Sequence, residues 1–455
     1  MAKGILTMMT QMHHMRQALF RLIPSFIRQK LVNPEAQKLA GNTGWLFADK
    51  ILRAVGELTV GIWLARYLGP EQFGTLSFAI AFVALFTPLY TLGLEKIVVR
   101  DIVQHPEQAH ETLGSALGLR VVAGVLGALV ATSLIMLLRP GQPMLQGLVG
   151  LMAFGLVFQA SDVVTFWFQS QIQAKYDVQA RSSAYGVTSL ARIGCILTQA
   201  SLATIGITYI LEPLLRAVGI GVVYRRTEKT TKKWQFSFKR SKALLWNSWP
   251  LILSGVAIMV YLRIDQVMLG ELADDKAVGL YSAVVKLSEG WYFIPAVIAS
   301  SVFPSILSVK KRGEDQYHLQ LSKLFKLVVV ISYLVSILTS LSSGTLILLL
   351  LGGEYTNAEM VLSIHVWSLI FVSVGMIRDL WMTAENLIMI LFQTKVLGAI
   401  LNIVMNFFLI PIYGIEGAAI ATLVSYMTAN FLTCFLYGET QRMGRIVFKS
   451  ILLQN

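Results

Sequence analysis

Long apolar runs are the feature that most constrains this chain. A helix that crosses the hydrocarbon core of a bilayer needs about 20 predominantly apolar residues. Only 14% of the 455 residues are charged and the mean hydropathy is +0.64, whereas soluble domains carry about 25% charged residues. The sequence therefore predicts an all-α polytopic membrane protein with about twelve transmembrane helices, at 41–67, 74–95, 114–138, 144–169, 180–203, 207–224, 248–272, 277–305, 321–344, 358–383, 390–411 and 413–438.

The basic residues are distributed as a membrane topology would require. If the N-terminus is inside, the inner segments hold 27 of the 38 basic residues, and the outer loops hold only Arg66, Arg139 and Lys276. Inner loops of membrane proteins carry such an excess of lysine and arginine. The net charge of +13 therefore indicates a membrane orientation rather than nucleic-acid binding, and we expect both termini to be cytoplasmic.

The segments between the spans predict the domain organisation. Residues 1–40 contain RQALFRLIPSFIRQKL, which mixes apolar and basic residues as a helix on an anionic lipid surface does, and we expect a cytoplasmic amphipathic segment. A basic interval, 225–247, follows an N-terminal six-helix lobe at 41–224 and precedes a C-terminal six-helix lobe at 248–438; 439–455 form a cytoplasmic tail. The interval is either a linker made basic by the topology or a lipid or partner contact.

The first hairpin of each half has a similar sequence. LGPEQFGTLSFA follows the first span and LGELADDKAVGLYSA follows the seventh, so Gly74 matches Gly279 and Ser77 matches Ser282. A repeat with an even number of spans keeps the same orientation in both copies. The pattern indicates two parallel structural repeats, as in some transporters.

Enzyme motifs are missing from the sequence. It contains no phosphate-binding GxxxxGK[ST] loop, no HExxH, no CxxC and no GxSxG. Its loops are also too short to hold a soluble nucleotide-binding domain. We therefore expect no enzyme activity, no catalytic residues, no cofactor and no metal site.

Charged residues inside the apolar spans point to a functional region. The stretch ADKILRAVGEL carries Asp49, Lys50, Arg53 and Glu57, and each such charge costs roughly 2.5–3.5 kcal/mol at the bilayer centre. Asp49, Arg53 and Glu57 recur every four residues, so they share one helix face and can pair. The stripe is either neutralised internally, placed shallowly at the interface, or part of a water-filled site.

Other spans contribute charges too, and a shared aqueous cavity would house them best. Eight bases and seven acids would make such a cavity slightly positive, which suits a large phosphate-bearing anion. The bases are Lys50, Arg53, Arg120, Arg192, Arg216, Arg263, Lys286 and Arg378, and the acids are Asp49, Glu57, Asp162, Glu212, Asp265, Glu289 and Asp379.

Three longer stretches, 64–86, 262–307 and 397–426, resemble the Wzx-type oligosaccharide flippases of bacterial polysaccharide biosynthesis. These belong to the multidrug/oligosaccharidyl-lipid/polysaccharide exporter superfamily. The matching positions are Arg66, Gly69, Pro70, Phe73, Gly74, Asp265, Lys286, Ser288, Pro295, Asn402, Asn406, Pro411, Gly414, Gly417 and Thr422.

The resemblance implies two six-helix lobes around a central cationic cavity in the bacterial inner membrane. It also implies alternating access, coupled to an ion gradient, that carries undecaprenyl-pyrophosphate-linked repeat units, such as those of O-antigen and lipopolysaccharide, to the periplasmic leaflet. The candidate substrate-binding residues are basic residues predicted to lie within the membrane: Lys50, Arg53, Arg263, Lys286 and Arg378. The candidate ion-coupling residues are acidic residues predicted to lie within the membrane: Asp49, Glu57, Asp265 and Glu289.

The expected partners are the lipid-linked glycan, membrane lipids and other polysaccharide assembly proteins, such as a polymerase or a chain-length regulator. Two other functions remain open at this point. A multidrug or cation exporter would share the fold but should have an acidic cavity. A membrane-embedded polymerase should have a large periplasmic loop, and the longest outer loop here has only about a dozen residues.

Overall fold

The computed structural model of the chain describes residues 34–228, 234–310 and 313–454. Most of the predicted amphipathic segment, and residues 229–233 of the basic interval, lie outside this part. Within it, every regular element is helical. The α-helices are α1 Pro34–Leu85, α2 Thr87–Thr91, α3 Leu94–Gln104, α4 Ala109–Leu138, α5 Pro143–Phe158, α6 Asp162–Ser170, α7 Ala174–Leu197, α8 Leu202–Glu228, α9 Phe238–Leu272, α10 Asp275–Glu289, α11 Phe293–Val309, α12 Glu314–Leu341, α13 Ser343–Leu350, α14 Glu359–His365, α15 Ser368–Ala384, α16 Ile388–Asn430 and α17 Gly438–Ile451.

The two longest helices are each two spans joined at a glycine. α1 breaks at Gly69, where φ is +68°, and Pro70 follows at once. α16 breaks at Gly414, where φ is +56°, three residues after Pro411. Glycine adopts positive φ without a steric penalty, and proline is tolerated in the first turn of a new helix. Each helix therefore supplies two crossings.

The helices account for the predicted spans. Judged by length and apolar composition, eight helices of the described chain can cross a membrane, or nine if the bent pair Gly353–His365 and Ser368–Ala384 forms one span. α1 and α16 count only once each in these numbers although each folds into two arms. α7 is more polar and is not among them, yet it occupies the position of the fifth predicted span. The predicted all-helical polytopic fold is confirmed.

The two halves meet through their equivalent hairpins. A Cβ atom on Gly74 would lie 1.6 Å from the carbonyl oxygen of Asp275, and one on Gly279 would lie 1.7 Å from the carbonyl oxygen of Pro70. Pro70 precedes Gly74 by four residues, as Asp275 precedes Gly279, so the contact is reciprocal. Glycines allow the two helices to approach this closely.

The largest apolar core surrounds this contact and contains side chains of both halves, including Leu64 and Phe78 of α1 with Leu269 of α9 and Tyr281 of α10. We call this end of the molecule, which carries the turns at Gly69, 139–142 and 273–274, the sealed end. Because the core there is continuous across both halves, it closes the space between them on that side.

The halves are also joined at the opposite end. Residues 234–237 lie along α4, where the Gln235 amide donates to the His110 carbonyl (3.3 Å) and the Ser237 amide donates to the Ser115 hydroxyl (3.1 Å). A Cβ atom on Gly114 would lie only 2.4 Å from the Gln235 carbonyl oxygen. The sequence predicts a linker at 225–247. In the structure, residues 225–228 form the end of α8 and residues 238–247 form the start of α9.

Candidate functional site

A charged cavity of about 440 Å³ lies between the two halves. The first arm of α1 lines it from Ala54 to Leu64, which is 5 to 15 residues before Gly69, and the second arm adds Ser77 and Ile80. At 1.5 Å rise per residue these positions are about 8 to 22 Å from the sealed end, near the middle of a hydrocarbon core about 30 Å thick. The charged lining residues are Glu57, Arg192, Glu212, Arg263, Lys286 and Glu289.

The wall from the first half is a closed network of ion pairs. Arg53, at the edge of the cavity, donates to Glu212 at 3.0 Å and lies 3.7 Å from Glu57. Arg192 donates to the other oxygen of Glu212 at 3.3 Å. Two arginines and two glutamates therefore neutralise one another on this side.

Tyrosine rings support both arginines of this network. The Arg192 guanidinium lies 4.2 Å from the centre of the Tyr209 ring, and that of Arg53 lies 5.0 Å from the centre of the Tyr185 ring. Both tyrosines line the cavity. Such cation–π contacts restrict the orientation of the planar guanidinium groups.

The wall from the second half holds two cations and one carboxylate that form no close salt bridge with any described residue. Arg263 of α9, Lys286 of α10 and Glu289 have no oppositely charged atom of a described residue within 4.0 Å, although Glu289 is the carboxylate that attracts Arg263 most strongly. The Lys286 ammonium lies 5.0 Å from the centre of the Phe73 ring, and a Cβ atom on Gly61 would lie 3.3 Å from its nitrogen. Gly61 thus leaves room for the lysine side chain to extend across α1.

Four of the predicted site residues, Asp49, Lys50, Asp265 and Arg378, lie outside this cavity. Asp265 is buried and accepts from the Tyr281 hydroxyl at 2.5 Å. Arg378 is fully buried in the second half, where it donates to the Ala429 carbonyl, to Thr394 (3.2 Å) and to Asp379 (3.0 Å). Lys50 is exposed and does not line the cavity.

Asp49 belongs to a separate ladder of charges inside the first half. Acids and arginines alternate along it in the order Asp49, Arg181, Asp177, Arg216, Asp162 and Arg120, at successive distances of 3.3, 3.2, 3.4, 3.0 and 3.5 Å. The ladder connects α1, α7, α8, α6 and α4. Because each charge has an opposite neighbour, the ladder explains how these residues are tolerated inside the membrane.

The interpretation that all intramembrane charges share one cavity is therefore only partly correct. Of the eight intramembrane bases, Arg192, Arg263 and Lys286 line the cavity, and three acids line it too, so its described lining is electrically balanced rather than clearly positive. Arg53 adds one positive charge at its edge.

Four wall residues were not selected from the sequence: Tyr185, Arg192, Tyr209 and Glu212. The sequence identifies Arg192 and Glu212 as intramembrane charges but does not distinguish them from the others. The available signal was spacing: Tyr185 and Arg192 are seven residues apart on α7, and Tyr209 and Glu212 are three apart on α8. Each pair therefore lies on one helix face.

An apolar groove of about 330 Å³ adjoins the charged cavity. Leu58, Gly290 and Phe293 line both spaces. Trp63 and Trp291 line the groove and are 50% and 36% exposed, so it reaches the outer surface of the helices. The site thus offers a charged compartment beside an apolar one. Among the described residues, no group of three His, Cys, Asp or Glu side chains is placed to hold a metal ion.

Paired halves of membrane-spanning helices around a charged cavity at mid-membrane depth define a polytopic membrane transporter. A family model described as "Polysaccharide biosynthesis protein" matches residues 39–310, and the chain belongs to this family.

Among curated relatives, a Shigella flexneri protein named "Putative O-antigen transporter" is 22% identical over 87% of this chain and 97% of its own length. The Haloferax volcanii protein "Probable flippase AglR" is 28% identical over 42% of each chain.

Solved structures share the fold. The lipid II flippase MurJ, in an inward closed conformation, superposes with a TM-score of 0.71 at 13% identity over 90% of this chain and 91% of its own. An inward-facing multidrug resistance MATE transporter gives 0.66 at 15% identity over 87% and 95%. The predicted resemblance to flippases of the exporter superfamily is confirmed. So is the prediction of a transporter rather than an enzyme, because the relatives are named transporters and flippases.

Proposed function

We propose that this protein flips undecaprenyl-pyrophosphate-linked oligosaccharide repeat units from the cytoplasmic to the periplasmic leaflet. The observation that carries the proposal is that two cations, Arg263 and Lys286, face a mid-membrane cavity with no salt bridge within 4.0 Å to a described residue and share one carboxylate, Glu289, on their wall. Two half-buried cations that share one carboxylate are costly inside a membrane unless a ligand supplies further negative charge. A pyrophosphate group supplies two negative phosphates, which arginine and lysine bind well.

The adjoining groove suits the other part of the same cargo. A lipid-linked glycan has a long hydrocarbon tail and a polar head, and the shared lining residues Leu58, Gly290 and Phe293 place an apolar compartment next to the charged one. The tail can remain in contact with lipid through the groove while the head occupies the cavity. A soluble anion has no hydrocarbon tail that could occupy such a groove.

The distribution of basic residues supports the direction of transport. Arg66, Arg139 and Lys276 are the basic residues of the predicted outer loops, and they lie at or near the sealed end. This end would then face the periplasm, with both termini in the cytoplasm and the protein in the bacterial inner membrane. In this state the cargo would have no path to the periplasmic side.

We assign ion coupling first to Asp265 and Glu289, which form no salt bridge with any described residue. A carboxylate without a close salt bridge can take up a proton or a cation without first breaking one, and uptake at Glu289 would weaken its attraction for Arg263. Asp49 and Glu57 are weaker candidates because each lies within 4 Å of an arginine, Arg181 and Arg53 respectively. Among the predicted substrate-binding residues, Arg263 and Lys286 are the strongest.

The proposal is tested with purified protein in liposomes, with and without a proton or sodium gradient. The cargoes are a fluorescent undecaprenyl-pyrophosphate oligosaccharide and a cationic dye. We expect gradient-sensitive flipping of the lipid-linked sugar and no dye transport. Transport of the dye alone would favour the multidrug exporter, whose cavity should bind cations, and would overturn the proposal.

A further inference from the structure

We propose that the cavity has two subsites: the second-half wall binds the pyrophosphate, and the first-half wall of Tyr185, Arg192, Tyr209 and Glu212 binds the glycan. The inference rests on the proposed function and adds the residues that recognise the sugar. We call the two sides the anion wall and the glycan wall.

The glycan wall is poorly suited to a phosphate. Its carboxylate, Glu212, already contacts two arginines: Arg53 at the edge of the cavity, at 3.0 Å, and Arg192, at 3.3 Å. A phosphate would have to displace that carboxylate and would then lie beside it, with like charges in contact. On the anion wall, no carboxylate of the described residues lies within 4.0 Å of Arg263 or Lys286, so a phosphate can approach them without displacing the more distant Glu289.

The same wall is well suited to a neutral polyol. Sugar hydroxyls both donate and accept hydrogen bonds, and Glu212 supplies acceptors next to the donors of Arg192. The ion pairs and the ring of Tyr209, 4.2 Å from the Arg192 guanidinium, hold these groups in place before a ligand arrives. A fixed set of polar groups of this kind distinguishes ligands by the positions of their hydroxyls.

Two hydroxyls toward the sealed end support this assignment. Ser77 and Ser282, matched by the repeat, both line the cavity, and their buried oxygens have no hydrogen-bond partner in the described structure. A buried hydroxyl without a partner is unfavourable. A ligand rich in hydroxyl groups can satisfy both, so we place the glycan between the glycan wall and these serines.

The test measures binding to the full-length protein in nanodiscs. One probe is the undecaprenyl-linked oligosaccharide pool extracted from the source organism, and the other is bare undecaprenyl pyrophosphate. We expect the wild type to bind the sugar-bearing lipid about tenfold more tightly, the gain from one or two hydrogen bonds to charged groups. Glu212→Gln and Tyr209→Phe should reduce this difference in affinity. Lys286→Gln should weaken the binding of both lipids by the same factor.

Matched variants separate binding from folding. Tyr209→Phe removes only a hydroxyl and keeps the ring beneath Arg192, so it preserves packing even if Glu212→Gln does not. Tyr333→Phe is its control, since that hydroxyl bonds the Ile451 carbonyl (3.2 Å) outside the cavity. Glu95→Gln, at an exposed glutamate of the first half, is the control for Glu212→Gln.

The outcomes distinguish the two proposals. The division of the cavity is wrong if the wild type binds both lipids with the same affinity. It is also wrong if the glycan-wall variants lower the affinity for both lipids equally. In either case the protein still binds its lipid. If the wild type binds neither lipid, the proposed function itself fails.

Discussion

Arg139 of the first half donates to Glu271 of the second half across the sealed end, at 2.7 Å between Nε and Oε1. Its guanidinium also lies 3.5 Å from Asp275, contacts the Gly270 carbonyl and lies 4.9 Å from the centre of the Phe78 ring. The side chain is only 12% exposed, so solvent screens these contacts little. Opening the sealed end must therefore break them.

Arg139→Ala should shift the protein toward a state open at the sealed end. Loss of these charged hydrogen bonds is worth about 1.5–3 kcal/mol, which corresponds to a tenfold or larger change in population. The measurement is labelling of Ser282→Cys by a membrane-impermeant thiol reagent, in a background with Cys195 and Cys434 replaced. Lys276→Ala, an exposed residue at the same end, is the control. Equal labelling of the two variants would show that Arg139 does not hold the end shut.

Gly74→Ala and Gly279→Ala should destabilise the closed structure to a similar extent. Each added Cβ would lie within 1.7 Å of a carbonyl oxygen of the other half, so the two helices would have to separate. Overpacking of this kind costs about 1–3 kcal/mol. Thermal unfolding in detergent measures the effect, with Gly186→Ala as control because no atom lies within 4 Å of the Cβ position there. Melting temperatures equal to that of Gly186→Ala would contradict the close approach.

Arg378→Gln should lower stability without changing ligand affinity. This guanidinium is fully buried and bonded to Thr394 and Thr433, so its removal leaves buried acceptors unsatisfied at a cost of about 1–3 kcal/mol, while Asp379 keeps its 2.8 Å salt bridge with Lys395. The folded fraction should still bind inorganic pyrophosphate as the wild type does. A selective loss of pyrophosphate affinity in a stable protein would instead support the sequence-based assignment of Arg378 to the substrate.

Some features of this fold depend only on nearby residues in the sequence, and others depend on how distant helices pack. Span positions follow from apolar composition, and the pairing of Arg53 with Glu57 follows from helical spacing. The stronger partner of Arg53, Glu212, is 159 residues away and depends on how α8 packs against α1. Periodicity shows which residues share a helix face, as Tyr185 and Arg192 do, but not whether that face lines the cavity or packs against a neighbouring helix. For that reason Arg378 and Lys286 looked alike in the sequence, although one is bonded inside the protein and the other is available to a ligand.

The central claim is that Arg263 and Lys286 bind the charged head of the cargo. The most direct test is flipping of a fluorescent undecaprenyl-pyrophosphate oligosaccharide in liposomes by the wild type, the double variant Arg263→Gln/Lys286→Gln, and Lys276→Gln as a matched control on α10. The account predicts that the control flips at the wild-type rate and that the double variant, folded and inserted to the same extent, loses at least tenfold in rate. Flipping by the double variant at the wild-type rate would contradict it.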